Sequence, residues 1–128
     1  MAIAEERTMS DYLLVYEGGD PDWMSKWPAE KIETVMQEWG AWFKELESKG
    51  VLRNPGSALA PGGAAVSRNG KGFVTDTTMA EVKELIGGFS IIRADTLQQA
   101  VELAQGAPFL KNNPQGRIRV QPVLEPPA

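Results

Sequence analysis

The stretch between Pro28 and Gly50 constrains this chain more than any other. Ile32, Val35, Met36, Trp39, Trp42, Phe43 and Leu46 recur at helical spacing and form one apolar stripe. A helix with such a stripe must lay it against another layer. Ser25 is read as its N-cap, Pro28 as a first-turn residue and Gly50 as its C-terminal stop. Gly40 inside it costs on the order of 1 kcal/mol relative to Ala, little against the stripe. The opposing layer starts at Tyr12-Leu13-Leu14-Val15-Tyr16, which reads as a buried strand bounded by Gly18-Gly19-Asp20-Pro21. This strand is aromatic and aliphatic on both faces. Helices can cover one of them, and a second subunit is the expected cover for the other.

Downstream, Asn54 to Gly63 reads as a loop by composition. Ala64–Arg68 and Lys71–Thr75 flank Asn69-Gly70, the favoured pair for a type I′ turn, which predicts a hairpin. Thr78 with Glu81 makes a capping box that opens a short helix, closed by Gly87-Gly88. Phe89 to Ala94 is strand-like. Thr96 with Gln99 repeats the capping box ahead of Leu97, Val101 and Ala104, a helix that ends near Gly106. Arg117-Ile118-Arg119-Val120-Gln121 alternates strictly, as a strand with one apolar and one basic face. The order predicts an α+β fold with helices on one face of an antiparallel sheet.

Composition excludes more chemistry than it suggests. The 128 residues contain no Cys and no His, so thiol and imidazole nucleophiles, bases and metal ligands are all absent. The balance of 13 Lys+Arg against 17 Asp+Glu gives a net charge of −4, without the basic cluster a nucleic-acid binder needs. The first residues, Met1 to Arg7, carry acids and no apolar run, and no stretch approaches the roughly 20 apolar residues of a membrane span. A cytoplasmic protein is expected.

From Val74 to Phe89 the chain reads Val-Thr-Asp-Thr-Thr-Met-Ala-Glu-Val-Lys-Glu-Leu-Ile-Gly-Gly-Phe. This resembles the signature of the YCII-related, DGPF-type domain. Asp76, Glu81, Lys83, Glu84, Gly87, Gly88 and Phe89 stand at matching positions, and the similarity runs from about the first strand to Val123. Two departures stand out. Thr77-Thr78-Met79 replaces the family's Gly-Pro-Phe, and Arg119-Val120-Gln121-Pro122 stands where the family has Glu-Val-Arg-Pro. The resemblance implies a ferredoxin-like sheet with helices on one face that pairs into a dimeric α+β barrel, with a cleft between sheet and partner. Related enzymes with a His-Asp pair offer no template, because this chain has no His.

Each candidate group has two readings. Asp76 is a general base or ligand acceptor at a strand end, or a turn carboxylate bonded to its own loop. Glu81 and Glu84 share a helical face and with Asp76 suit a hard cation such as Mg²⁺; alternatively Glu81 completes a capping box, and Lys83 and Glu84 are solvated. Arg117 and Arg119, with Arg93 on a neighbouring strand, hold an anion if they face the barrel and are solvated charges if they do not. Tyr12, Tyr16, Trp23, Trp27 and Phe89 suit an apolar pocket, with Trp23 and Trp27 as its lid or as a hydrophobic staple on the long helix. Gly62-Gly63 and Gly87-Gly88 lack the context of phosphate loops.

The expectation is one domain over residues 1–128 with loose N-terminal and Pro-rich C-terminal ends. It is a homodimer without metal or cofactor, binding a small anionic or aromatic molecule in the barrel cleft through Tyr16, Lys83, Phe89 and Arg119. The first alternative is a lyase- or isomerase-type enzyme with Asp76 as base and Arg119 as anion stabiliser. The second is a protein-interaction module.

Overall fold

The computed structural model describes residues 9–77 and 85–126. The chain runs β1 (Ser10–Glu17), α1 (Trp23–Lys26), α2 (Ala29–Ser48), β2 (Leu52–Ala58), β3 (Ala65–Asn69), β4 (Gly72–Asp76), β5 (Ile86–Ala94), α3 (Leu97–Ala104), α4 (Pro108–Asn112) and β6 (Arg117–Pro122). The strands β2, β5, β1 and β6 lie side by side in that order, each pair antiparallel. With the β3–β4 hairpin set apart as its own two-stranded sheet, this is the ferredoxin-like order, with β1 and β5 central. The α+β class and the antiparallel sheet agree with the sequence reading. The N-terminal end, to residue 8, and the Thr78–Glu81 capping box with its helix lie outside the described residues.

Strand alternation sorts the side chains. Tyr12, Leu14 and Tyr16 of β1, with Ile92 and Ala94 of β5, are buried beneath Trp42 and Leu46 of α2 and Ala100 and Ala104 of α3. Leu14, Leu46 and Ile92 are fully buried, and each contributes roughly 1.5–3 kcal/mol of hydrophobic stabilisation. Leu13, Val15 and Ile91 point the other way and are half-buried. On β6, Ile118 and Val120 pack against the core, whereas Arg117 and Arg119 share the second face.

The long helix begins later than its cap residues suggest. Ser25 lies inside the separate α1, its Oγ donating to the Asp22 carbonyl. Trp27, at φ −78° and ψ 144°, is extended because the proline after it disfavours a helical conformation, and Pro28 becomes the N-cap of α2. The other end is as expected. Gly50, at φ +73°, donates to the Glu47 carbonyl and Val51 to the Leu46 carbonyl, the two bonds of a Schellman ending. At α3 the Gln99 N–H donates to Thr96 Oγ1, while Gln99 Oε1 accepts from Asp95, one residue before the cap.

Three further differences follow from backbone chemistry. The stretch read as a loop contains β2: Asn54-Pro55-Gly56 sits on an edge strand, where a missing N–H and two register shifts are tolerated. Gly87 and Gly88 belong to β5, where a Cβ on Gly88 would stand 2.8 Å from the Ser57 carbonyl oxygen. The hairpin turns on Gly70-Lys71, with Asn69 paired to Gly72. Only Gly70 has positive φ there, so the turn is not the type I′ that Asn69-Gly70 predicts.

Gly56 and Gly50 share nearly the same left-handed backbone, at φ +75° and +73°, in opposite surroundings. A Cβ on Gly56 would collide with the Phe89 carbonyl oxygen, whereas Gly50 has nothing within 4 Å. Gly50→Ala is expected to cost about 1–2 kcal/mol through backbone strain alone. Gly56→Ala adds roughly another 1–3 kcal/mol as β2 is pushed off β5. Urea denaturation of the two variants measures the difference.

Candidate ligand cavity

A cavity of about 790 Å³ opens between the N-terminal half of α2, the edge strand β2 with its neighbour β5, and the segment that leads into the hairpin. Its walls follow from helix length. Trp42 and Leu46, near the C-terminal end of α2, fill the core, while Val35, Met36, Trp39 and Phe43 extend the same stripe over the cavity. Tyr16 forms part of the floor. Its ring lies 5.1 Å from that of Trp39, edge-on, and 5.3 Å from that of Phe109 in α4. Trp23 and Trp27, 5.5 Å apart, add a flank where α1 gives way to α2. Lys31 Nζ sits 3.9 Å from the Trp27 ring centroid.

The polar groups of the floor are tied to one another. The Tyr16 hydroxyl donates to Ser90 Oγ at 2.8 Å, and Ser90 Oγ donates to the Pro55 carbonyl at 2.8 Å. Burial pushes the Tyr16 phenol up to about 12, with the Ser90 hydrogen bond pulling the other way. Asn112 Nδ2 donates to Glu38 Oε1 and to the Pro108 carbonyl, and Lys111 Nζ pairs with Glu38 Oε2, so α4 is fastened to α2. The Lys111 hydrogen bond, then that from Asn112, holds the Glu38 carboxyl below its ordinary value. Asp20 Oδ1 accepts from the Asp22 N–H and stands 3.6 Å from Lys26 Nζ.

The candidate residues divide between two places. Tyr16 lines the cavity, and Asp76 reaches its rim from the end of β4. Phe89 borders it too, although its register partner is Val15 on the second sheet face. Lys83, with Glu81 and Glu84, lies outside the described residues. Arg119 is not among the residues that line the cavity. Its Nη2 lies 3.4 Å from Glu17 Oε2 on the second face, and Arg117 Nε donates to Glu17 Oε1 at 2.8 Å. Arg93 and Arg53 each stand 3.6 Å from the Asp11 carboxylate at the other end of that face. Within one chain, therefore, Asp76 and Arg119 do not share the cavity. Among the described residues no group of acids is clustered so as to hold a metal ion.

Sequence reasoning missed Glu17, Asp11 and Ser90. The signal for Glu17 was a carboxylate ending a buried strand. Its partners lie 100 positions away at Arg117 and beyond, so only the pairing of β1 with β6 brings them together.

Comparison with protein-family models matches residues 12–125 to the YCII-related domain. The chain belongs to the YCII-related domain family. No curated protein matches it. The match covers all six strands of this YCII-related domain save the start of β1, so the cavity and the paired arginines both lie within the family's own fold. No described helix is long and apolar enough to cross a membrane.

The raised Tyr16 value gives a stability prediction. The folded chain holds the phenolic proton more tightly than the unfolded chain, whose value is the ordinary 10.0. Stability is therefore at its full value below pH 10 and falls by roughly 2–3 kcal/mol as pH rises through about 12, because only the unfolded chain ionises freely in that window. Tyr16→Phe should cost about 1 kcal/mol at neutral pH and flatten the alkaline decline. Denaturant titrations at several alkaline pH values, for both proteins, test this.

Proposed function

We propose that this YCII-related domain is a homodimer that binds a small aromatic molecule in the α2 cavity, with Tyr16 on its floor and Phe89 and Asp76 at its border. The observation that carries the reading is the aromatic wall itself. Trp23, Trp27 and Trp39 are all but one of the tryptophans of the chain, and all three turn toward one space of ligand size. Of the two expected ligand classes the aromatic one has this support. The arginines that an anion needs are engaged with Glu17 and Asp11 on the other side of the sheet.

The second sheet face supports the dimer. Leu13, Val15 and Ile91 form a half-buried apolar centre on the face away from the described helices, flanked at either end by the Asp11 and Glu17 ion-pair clusters. Helices cover only one side of an antiparallel sheet, and a copy of the same face completes the other. We assign Arg119 to this surface, where it orders Glu17. The hairpin favours a second reading as an interaction module: Val66 and Phe73 lie on one face of it at 67% and 72% exposure.

Binding is tested by calorimetric titration with 2-naphthol, a neutral aromatic probe. Saturable binding is expected, at least tenfold weaker in Met36→Trp, which fills the cavity from an exposed position on α2, and within twofold of the parent in Arg119→Ala. Loss of binding in Arg119→Ala with none in Met36→Trp overturns the assignment. Sedimentation equilibrium tests assembly: twice the mass of one chain is expected, falling to that of one chain in Leu13→Glu with the circular dichroism unchanged. Phe73→Ser should remain dimeric if the hairpin serves a different partner.

A further inference from the structure

The second sheet face carries more positive charge than it can neutralise. The four strands of the main sheet contain two acids, Asp11 and Glu17, and four basic residues, Arg53, Arg93, Arg117 and Arg119. They gather into two clusters, each of one carboxylate and two guanidinium groups, so each cluster keeps one positive charge. The chain as a whole has a net charge of −4, which makes this face an exception. At the Glu17 end the acid lies beneath its partners: its side chain is 7% exposed, that of Arg117 62% and that of Arg119 54%. What that end presents outward is guanidinium.

The contacts also leave donors over. Arg117 donates to Glu17 through Nε, and Arg119 approaches the second oxygen through Nη2 at 3.4 Å. Two guanidinium groups bring more N–H donors than one carboxylate can accept, and their planar forks are shaped to grip an oxyanion. The pairing at the Asp11 end is looser. Both arginines approach through Nε at 3.6 Å, and Arg93 Nε is a buried nitrogen with no hydrogen-bond partner among the described residues.

On a free surface, water solvates such groups and nothing more is needed. Pairing of this face with a second copy takes them out of water, and a surplus charge then needs a counter-charge. A two-fold axis along the strands brings like ends of the two copies together. An axis across the strands brings the Glu17 end of one to the Asp11 end of the other. Every cluster is positive, so either arrangement gathers one surplus charge from each copy at each end of the interface.

We infer that each end of the paired faces holds an oxyanion with two negative charges, of the phosphate, sulfate or dicarboxylate class, gripped by arginines of both copies. One chain supplies only half of such a site. This rests on the homodimer reading and adds an anion to it, on the opposite side of the sheet from the α2 cavity.

Sedimentation equilibrium of the intact protein at neutral pH reads the dimer dissociation constant in sodium sulfate, sodium phosphate, sodium malonate and sodium chloride. The first three are used at about 5 mM and the chloride is matched in ionic strength, so that screening is equal and salting-out negligible. Association at least tenfold tighter than in chloride is expected, and the malonate arm separates dicarboxylates from tetrahedral anions. The double variant Arg53→Gln with Arg119→Gln takes one exposed arginine from each cluster and leaves both clusters neutral. It should associate more tightly in chloride than the parent does, and gain less than twofold from any of the three anions. Equal association of the parent in chloride and in all three anions overturns the anion inference and leaves the dimer standing. A double variant that still responds to the anions, or that no longer dimerises while its circular dichroism is unchanged, overturns the inference as well. A parent that keeps the mass of one chain in every buffer overturns the dimer reading and the inference with it.

Discussion

The contact on which the rest depends is the packing of Trp42 and Leu46 on β1 and β5. It fixes one half of α2 to the sheet, and α2 is a single rigid element of 20 residues, roughly 30 Å long. Its other half must therefore project along the same line, carrying Val35, Met36 and Trp39 past the place where the core is filled. Schellman bonds at Gly50 hold one end, and the Glu38–Lys111 pair with Asn112 holds the middle against α4. The cavity is the space beneath a fastened helix. Its apolar walls belong to the same stripe that builds the core, which is why periodicity alone cannot separate packing residues from lining residues.

That overlap marks the boundary of what was legible. Period-3.6 and period-2 patterns reported α2, β1, β5, α3 and β6, because each element buries one face against the sheet or the helices. They did not report β2, whose Asn54-Pro55-Gly56 carries turn chemistry that only an edge position with register shifts can accept. Gly87-Gly88 looked like a helix stop for a related reason: a glycine needed for close approach of β5 to β2 has the same letter as one needed for a C-cap. Among the site residues, Tyr16 stood out as an aromatic on a buried strand. The position of Arg119 depended on its register against Val15 and the nearby Glu17, a pairing of strands about a hundred residues apart that no local pattern encodes.

The same strands explain how charge is distributed. On β1 the helix-facing positions are Tyr12, Leu14 and Tyr16, and the alternate positions include Asp11 and Glu17. Cross-strand partners place Arg93 opposite Asp11 and Arg117 opposite Glu17, so the sheet's acids meet its arginines on the second face. Each end of the apolar centre of this face thus carries one acid held between two arginines. Arg53, Arg93, Arg117 and Arg119 all meet acids on the second face, and the cavity on the helix face is lined largely by aromatic rings and the floor hydroxyls, with Asp20 from the loop after β1 and Asp76 from the end of β4 at its border.

The hydroxyls of the floor behave as structural acceptors rather than as reactive groups. Tyr16, with its phenol at about 12, keeps its proton throughout the neutral range, so it is not poised to act as a base. Ser90 gives its proton to a carbonyl, which cannot take it up as an activating base would. The relay instead ties β1, β5 and the Pro55 bulge of β2 together at the point where the sheet meets the cavity. Rigidity of this kind holds the Tyr16 ring edge-on to Trp39, so that the wall of the cavity is set by the same contacts that close the core.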